Sequence, residues 1–127
     1  MFDHVDLNVS DLEASKRFYA TVLAPLGVGL TWEGEVSAEF GALSLTQREP
    51  VTEHVHLAFL ARTREEVDAF HRAGIDAGYR DNGAPGLRDY ARDYYASYLL
   101  DPDSHNVEAV YREPMTRAAW SWLRWEP

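Results

Sequence analysis

The chain has no cysteine. That removes disulfide bracing, thiolate nucleophiles and thiolate metal sites at once. It has no apolar run near the roughly 20 residues that span a bilayer, and nothing at its start reads as a signal peptide. Positive charge is scarce: 12 Lys and Arg stand against 21 Asp and Glu, for a net charge of −9. No basic stripe offsets that balance, so a phosphate backbone is repelled and nucleic acid is not an expected partner. These absences point to a cytoplasmic protein, outside the membrane, that handles small molecules. What is present suits one domain with a real core, 46% apolar residues over 127 positions.

Within that ordinary composition lies a duplication. "HVDLNVSDLEASKRFY" opens at His4 and "HLAFLARTREEVDAFH" opens at His56. Counted from each histidine, an apolar residue falls at +3 (Leu7, Phe59), a glutamate at +9 (Glu13, Glu65) and a phenylalanine at +14 (Phe18, Phe70). A fixed internal period dictates architecture before any local reading does. Here it predicts two equivalent modules with a histidine at the matching point of each first strand.

The local signals agree. Val5, Leu7 and Val9 alternate with His4, Asp6 and Asn8, the period of a half-buried strand. Ser10-Asp-Leu-Glu13 has the form of a capping box, and Leu12, Phe18, Tyr19, Val22 and Leu23 form a helical stripe that should end near Pro25. Short strands are expected near 28–33, 35–40 and 42–47. The second half repeats the plan: a strand over 54–61, a capping box at Thr63, a helix to about Ala73 with Gly74 as its C-cap, then strands near 76–81, 93–100 and 106–112. Residues 81–92, "DNGAPGLRDYAR", read as a long loop of the kind that closes binding sites. A last helix is expected over about 114–124. The expected class is α+β, with module one over about 2–48 and module two over about 54–112.

Several polar residues are candidates on these grounds. Asp6 and Asn8 share the His4 face of the first strand and become substrate contacts if that face lines a cup. His54 precedes His56 by two and should share its face, as a group supporting the ligands from behind, an acid/base, or simply the exposed start of the strand. Tyr94 and Tyr98 share one face of the penultimate strand and Tyr95 and Ser97 the other. Arg88 and Arg92, in the predicted loop, are candidates for an anionic substrate.

The stretches "HVDLNVSDLEASKRFYATVLAPLG" and "YLLDPDSHNVEAVY" resemble the vicinal oxygen chelate superfamily, which includes glyoxalase I, fosfomycin-resistance thiol transferases, extradiol dioxygenases and bleomycin-resistance proteins. The resemblance covers roughly residues 2–112. It implies two βαβββ modules forming a cupped sheet, commonly in a homodimer whose subunits share each cup. It also implies metal ligands on the first strand of each module and the last strand of the second, which are His4, His56 and Glu108 here. Two imidazoles and a carboxylate leave open positions on one divalent ion (Fe, Mn, Zn or Ni) for substrate oxygens. Ser44 stands where glyoxalase I carries a fourth carboxylate. Tyr98 stands where fosfomycin-resistance relatives carry a functional tyrosine, suited to donating to a developing oxyanion.

The implied activity is metal-dependent transformation of a small molecule through vicinal oxygens, as a lyase, an isomerase or a ring-cleaving dioxygenase. Two alternatives stand beside it: metal-free binding of the bleomycin-resistance kind, and a metal-dependent thiol transferase. The missing carboxylate at Ser44 argues against glyoxalase I proper, and a single domain argues against the longer extradiol enzymes.

Overall fold

The duplicated spacing folds as a duplicated module. The computed structural model describes residues 1–112; the expected helix over 114–124 lies outside the described residues. Module one runs β1 (Val5–Val9), α1 (Leu12–Leu23), a 3-10 turn (Ala24–Leu26), β2 (Trp32–Glu33), β3 (Ser37–Phe40) and β4 (Leu43–Gln47). Module two runs β5 (His56–Leu60), α2 (Arg64–Asp76), β6 (Arg80–Arg88), β7 (Tyr94–Leu100) and β8 (Asn106–Arg112). Each module makes its own four-stranded mixed sheet, in the orders β1-β4-β3-β2 and β5-β8-β7-β6. In both, the first strand runs parallel to the last and forms one edge of the sheet.

The helices join the modules. The expected stripe of α1 is fully buried, and α2 buries Val67, Phe70 and Gly74. Phe18 meets Tyr19 and Tyr79 edge to face, each at 4.8 Å, in a core that draws on both modules. A polar clasp fixes the seam. Tyr19 Oη donates to Asp101 Oδ2 at 2.6 Å, while Asp101 Oδ1 accepts the Asp103 and His105 amides at 2.9 Å each. Every acceptor of that buried carboxylate is engaged, which is what makes its burial tolerable.

Five local expectations are corrected. The α1 N-cap is Asp11, whose side chain accepts from the Ala14 amide. Ser10 instead turns to Asp103 across the seam, with its amide 3.1 Å from Oδ2. At Thr63 the expected cap holds, and Glu66 reaches back to the Arg62 amide. Gly74 lies inside α2, which continues to Asp76. A Cβ there would sit 2.4 Å from Leu99 Cδ1, so glycine lets the helix lie close on β7.

Residues 81–92 are mostly strand, because β6 reaches Arg88. Pro85 and the glycines, which read as loop signals, are accommodated because β6 is an edge strand whose register with β7 shifts at Gly83 and again before Gly86. Finally, β2 shrinks to Trp32–Glu33, and β5 begins at His56 because His54 adopts a left-handed φ of 57°.

Candidate active site

Alternation decides what each face of the second sheet carries. On β7, Tyr95 and Ser97 point to α2, bonding Asp68 Oδ1 and the Val67 carbonyl. Tyr94, Ala96 and Tyr98 therefore point to the opposite face, where they form a separate small apolar cluster with Val110 of β8. Glu108 lies opposite Tyr98 in the register and opposite Ala58 on β5. Its side chain shares this face but is only 1% exposed.

A buried carboxylate requires partners, and Glu108 has one on each oxygen. Oε1 lies 2.7 Å from His56 Nε2, and Oε2 accepts the Tyr94 hydroxyl. His56 itself, at the start of the edge strand, is half exposed and opens the pair to solvent. Burial, and then the bond to Glu108, pushes the Tyr94 phenol up to about 12. Burial and then the Glu108 charge push Tyr98 far above its usual value as well. Among the described residues, the buried Tyr98 hydroxyl has no hydrogen-bond partner. Cations line the same face: the Arg88 guanidinium lies 5.3 Å over the Tyr98 ring and that of Arg112 lies 4.8 Å over Tyr94. Tyr90 meets Tyr94 edge-on at 5.3 Å.

The first sheet carries a weaker version of the same arrangement. Its register pairs Asp6 with Ser44 and Ser44 with Glu39, where the second sheet pairs Ala58 with Glu108 and Glu108 with Tyr98. Ser44 is thus the structural counterpart of Glu108, and Glu39 that of Tyr98. His4 sits in a depression of about 230 Å³ with Asp3, Asp6, Glu39 and Ser44. Its Nδ1 bonds Asp3 at 2.8 Å and its Nε2 lies 3.6 Å from Asp6. The Asp3 bond and the Asp6 charge raise its pKa above the ordinary imidazole value.

The residues singled out from the sequence therefore divide, with Arg92 left apart, exposed and 3.6 Å from Asp93 Oδ2. His56, Glu108, Tyr98 and Arg88 come together on the second sheet. His4, Asp6 and Ser44 come together on the first. Among the described residues, no three His, Cys, Asp or Glu side chains are gathered so as to hold a metal, so one chain does not assemble the expected trio. Asn8 is engaged in tying down the segment between modules, with Nδ2 donating to the Pro50 carbonyl and its amide to Thr52 Oγ1. His54 lies outside β5 with its side chain 94% exposed, so it does not share the strand face of His56. Tyr94 is the residue that sequence reasoning left unassigned. Its signal was the shared face with Tyr98, but its contact with Glu108 depends on the β7–β8 register.

Comparison with known proteins gives consistent matches. Residues 1–109 match the sequence model of the Glyoxalase/Bleomycin resistance protein/Dioxygenase superfamily. The uncharacterized protein YqjT of Bacillus subtilis (strain 168) is 31% identical over 132 residues, covering 84% of this chain and 95% of that one. A solved glyoxalase/bleomycin resistance protein from Albidiferax ferrireducens T118 is similar at a TM-score of 0.76 and 36% identity, over 88% of this chain and 99% of that chain. A putative glyoxalase from Bacillus halodurans follows at 0.69 and 26%, over 87% of this chain and 94% of that one.

Proposed function

Because the chain belongs to the Glyoxalase/Bleomycin resistance protein/Dioxygenase superfamily, we propose that it binds and transforms a small molecule carrying two adjacent oxygen atoms at the open face of its second sheet. The observation that carries this reading is the His56–Glu108 pair, 2.7 Å apart, beside the orphaned hydroxyl of Tyr98. A converging imidazole nitrogen and carboxylate oxygen suit a divalent ion such as Fe, Mn, Zn or Ni. Two ligands are too few for a stable catalytic site, which usually takes three from the protein. The edge positions of β1 and β5 in their sheets suggest where the third comes from. In a homodimer, the partner's His4 would join His56 and Glu108. Such an ion supplies Lewis acidity to a bound pair of oxygens.

The remaining roles belong to the chain's own side chains. Tyr94 holds Glu108 in one orientation through its hydroxyl. Tyr98 donates its free hydrogen bond to a substrate oxygen as charge develops there. Arg88 offers a positive charge to an anionic substituent. The buried tyrosine faces exclude water around these groups. Serine at position 44 withdraws a carboxylate base from the first sheet, which favours lyase, isomerase or ring-cleaving chemistry over the proton transfer of glyoxalase I. A metal-dependent thiol transfer fits the same ligands. The absence of cysteine suits a cytoplasmic location.

A second reading has its own support. The carboxylate of Glu108 is satisfied by His56 and Tyr94 alone, and Tyr90, Tyr94 and Tyr98 form an aromatic wall. Such a face suits sequestration of a flat ligand without a metal, in the manner of bleomycin-resistance proteins.

Elemental analysis of untagged protein separates the two. Near-stoichiometric metal, lost in His4→Ala and in Glu108→Ala, supports the first reading. Mixing the two variants should restore metal binding, because a mixed dimer contains one intact site. Absence of metal after reconstitution with each ion leaves the binding reading.

A further inference from the structure

A second cleft, of about 460 Å³, lies where α1 meets the start of β6 and the end of β7, and shares no lining residue with the His56–Glu108 site. Ala14, Tyr79, Leu100 and Pro102 give it apolar surface. Its charge comes from Arg17 of module one and Arg80 of module two. Lys16, Arg62 and Arg92 each have a carboxylate partner. Among the described residues, Arg17 and Arg80 have none, and neither do Arg48, Arg64, Arg72, Arg88 and Arg112; what sets Arg17 and Arg80 apart is that they line one cleft. Arg80 Nη2 donates to the neutral Ser104 hydroxyl at 2.7 Å, which orients the guanidinium without cancelling its charge.

The carboxylate that lines this cleft, Asp101, is not available to them. It is 1% exposed, and its oxygens are taken by Tyr19 and by the Asp103 and His105 amides. Two guanidinium groups beside an apolar surface match a ligand with one anionic end and one greasy end. We propose that this cleft is a second binding site, for a small organic phosphate or carboxylate held between Arg17 and Arg80. Because one arginine comes from each module, the ligand would also bridge the seam and stabilise the folded chain.

The test titrates the full chain with phenyl phosphate and, separately, with benzoate, following backbone amide resonances and Tm. The expected result is saturable binding of at least one probe, with shifts at Gly78, Tyr79 and Arg80 and a rise in Tm. Which probe binds more tightly identifies the anion class. Arg17→Gln and Arg80→Gln should each weaken binding by roughly tenfold or more, the worth of a charge-assisted hydrogen bond. Glu108→Ala should leave it unchanged, so this result stands apart from the metal reading. Binding that survives both arginine variants overturns the proposal. So do shifts centred on Tyr94 and Tyr98, or no saturation with either probe at millimolar concentration.

Discussion

Glu108 Oε2 accepts the Tyr94 hydroxyl while Oε1 faces His56 Nε2 at 2.7 Å, so the buried carboxylate is oriented from both sides. Replacing Tyr94 with phenylalanine leaves one oxygen without a donor, at a cost of about 1–3 kcal/mol. If Glu108 is a metal ligand, metal affinity in Tyr94→Phe should fall about 10- to 100-fold, as it does when outer-shell partners are removed. Competition with a chromogenic chelator measures this directly; unchanged affinity would remove Tyr94 from that role.

The same tyrosine sets an alkaline limit. Its phenol is pushed from 10 to about 12, so the folded chain holds a proton that the unfolded chain has already released. That stabilisation is complete below about pH 10 and is lost as the pH rises through about 12. Urea midpoints collected from pH 8 to 12 should therefore fall across the upper part of that range. In Tyr94→Phe the slope should be shallower; an identical slope would place the titration elsewhere.

Tyr98→Phe should separate stability from function. Its buried hydroxyl has no partner among the described residues, so removing it relieves an unmet desolvation cost and leaves stability unchanged or up to about 1 kcal/mol higher. Ligand binding or turnover should drop at the same time. A variant that loses stability instead would mean that the hydroxyl has a partner in the folded protein.

At the seam, Tyr19→Phe keeps the ring packing but takes the donor from Asp101 Oδ2. The expected loss is about 1–3 kcal/mol in denaturant titration, with an unchanged m-value. A loss below about 0.5 kcal/mol would show that the clasp is not what holds the modules together.

Gly74→Ala sets two effects against each other. Alanine gains up to about 1 kcal/mol in helix propensity, but its Cβ would lie 2.4 Å from a Leu99 side chain that is fully buried. Overpacking of this kind costs about 1–3 kcal/mol. The net change should be destabilising, and Leu99→Val should recover part of it. A more stable Gly74→Ala would mean that Leu99 can move aside freely.

Much of this was legible in the residues. The repeated spacing from His4 and His56 located both first strands and both helices, because helical periodicity and cap signals are local. Loop signals misled at Pro85, since the penalty for proline in a strand depends on whether that strand is an edge, and sheet order is not a local property. Gly74 was misplaced for a similar reason: its meaning lies in Leu99, 25 positions away in sequence. Glu108 was singled out as an expected ligand through resemblance. Its bond to Tyr94 was not, because cross-strand partners follow from a register that periodicity alone leaves open. The division of His4 from His56 and Glu108 depends on how the modules are joined, which no local motif encodes.

That join leaves four strand edges with unequal defences against aggregation. β2 is two residues long, too short to template another chain. β6 carries Pro85 and two register shifts, so it cannot offer a continuous row of hydrogen-bonding groups. Along β1, the outward amide and carbonyl of Asn8 are already taken by Thr52. Among the described residues, β5 alone runs regular with no strand on its outer side, bearing His56 at its head. A strand recruited there would lie beside His56, at the mouth of the candidate site.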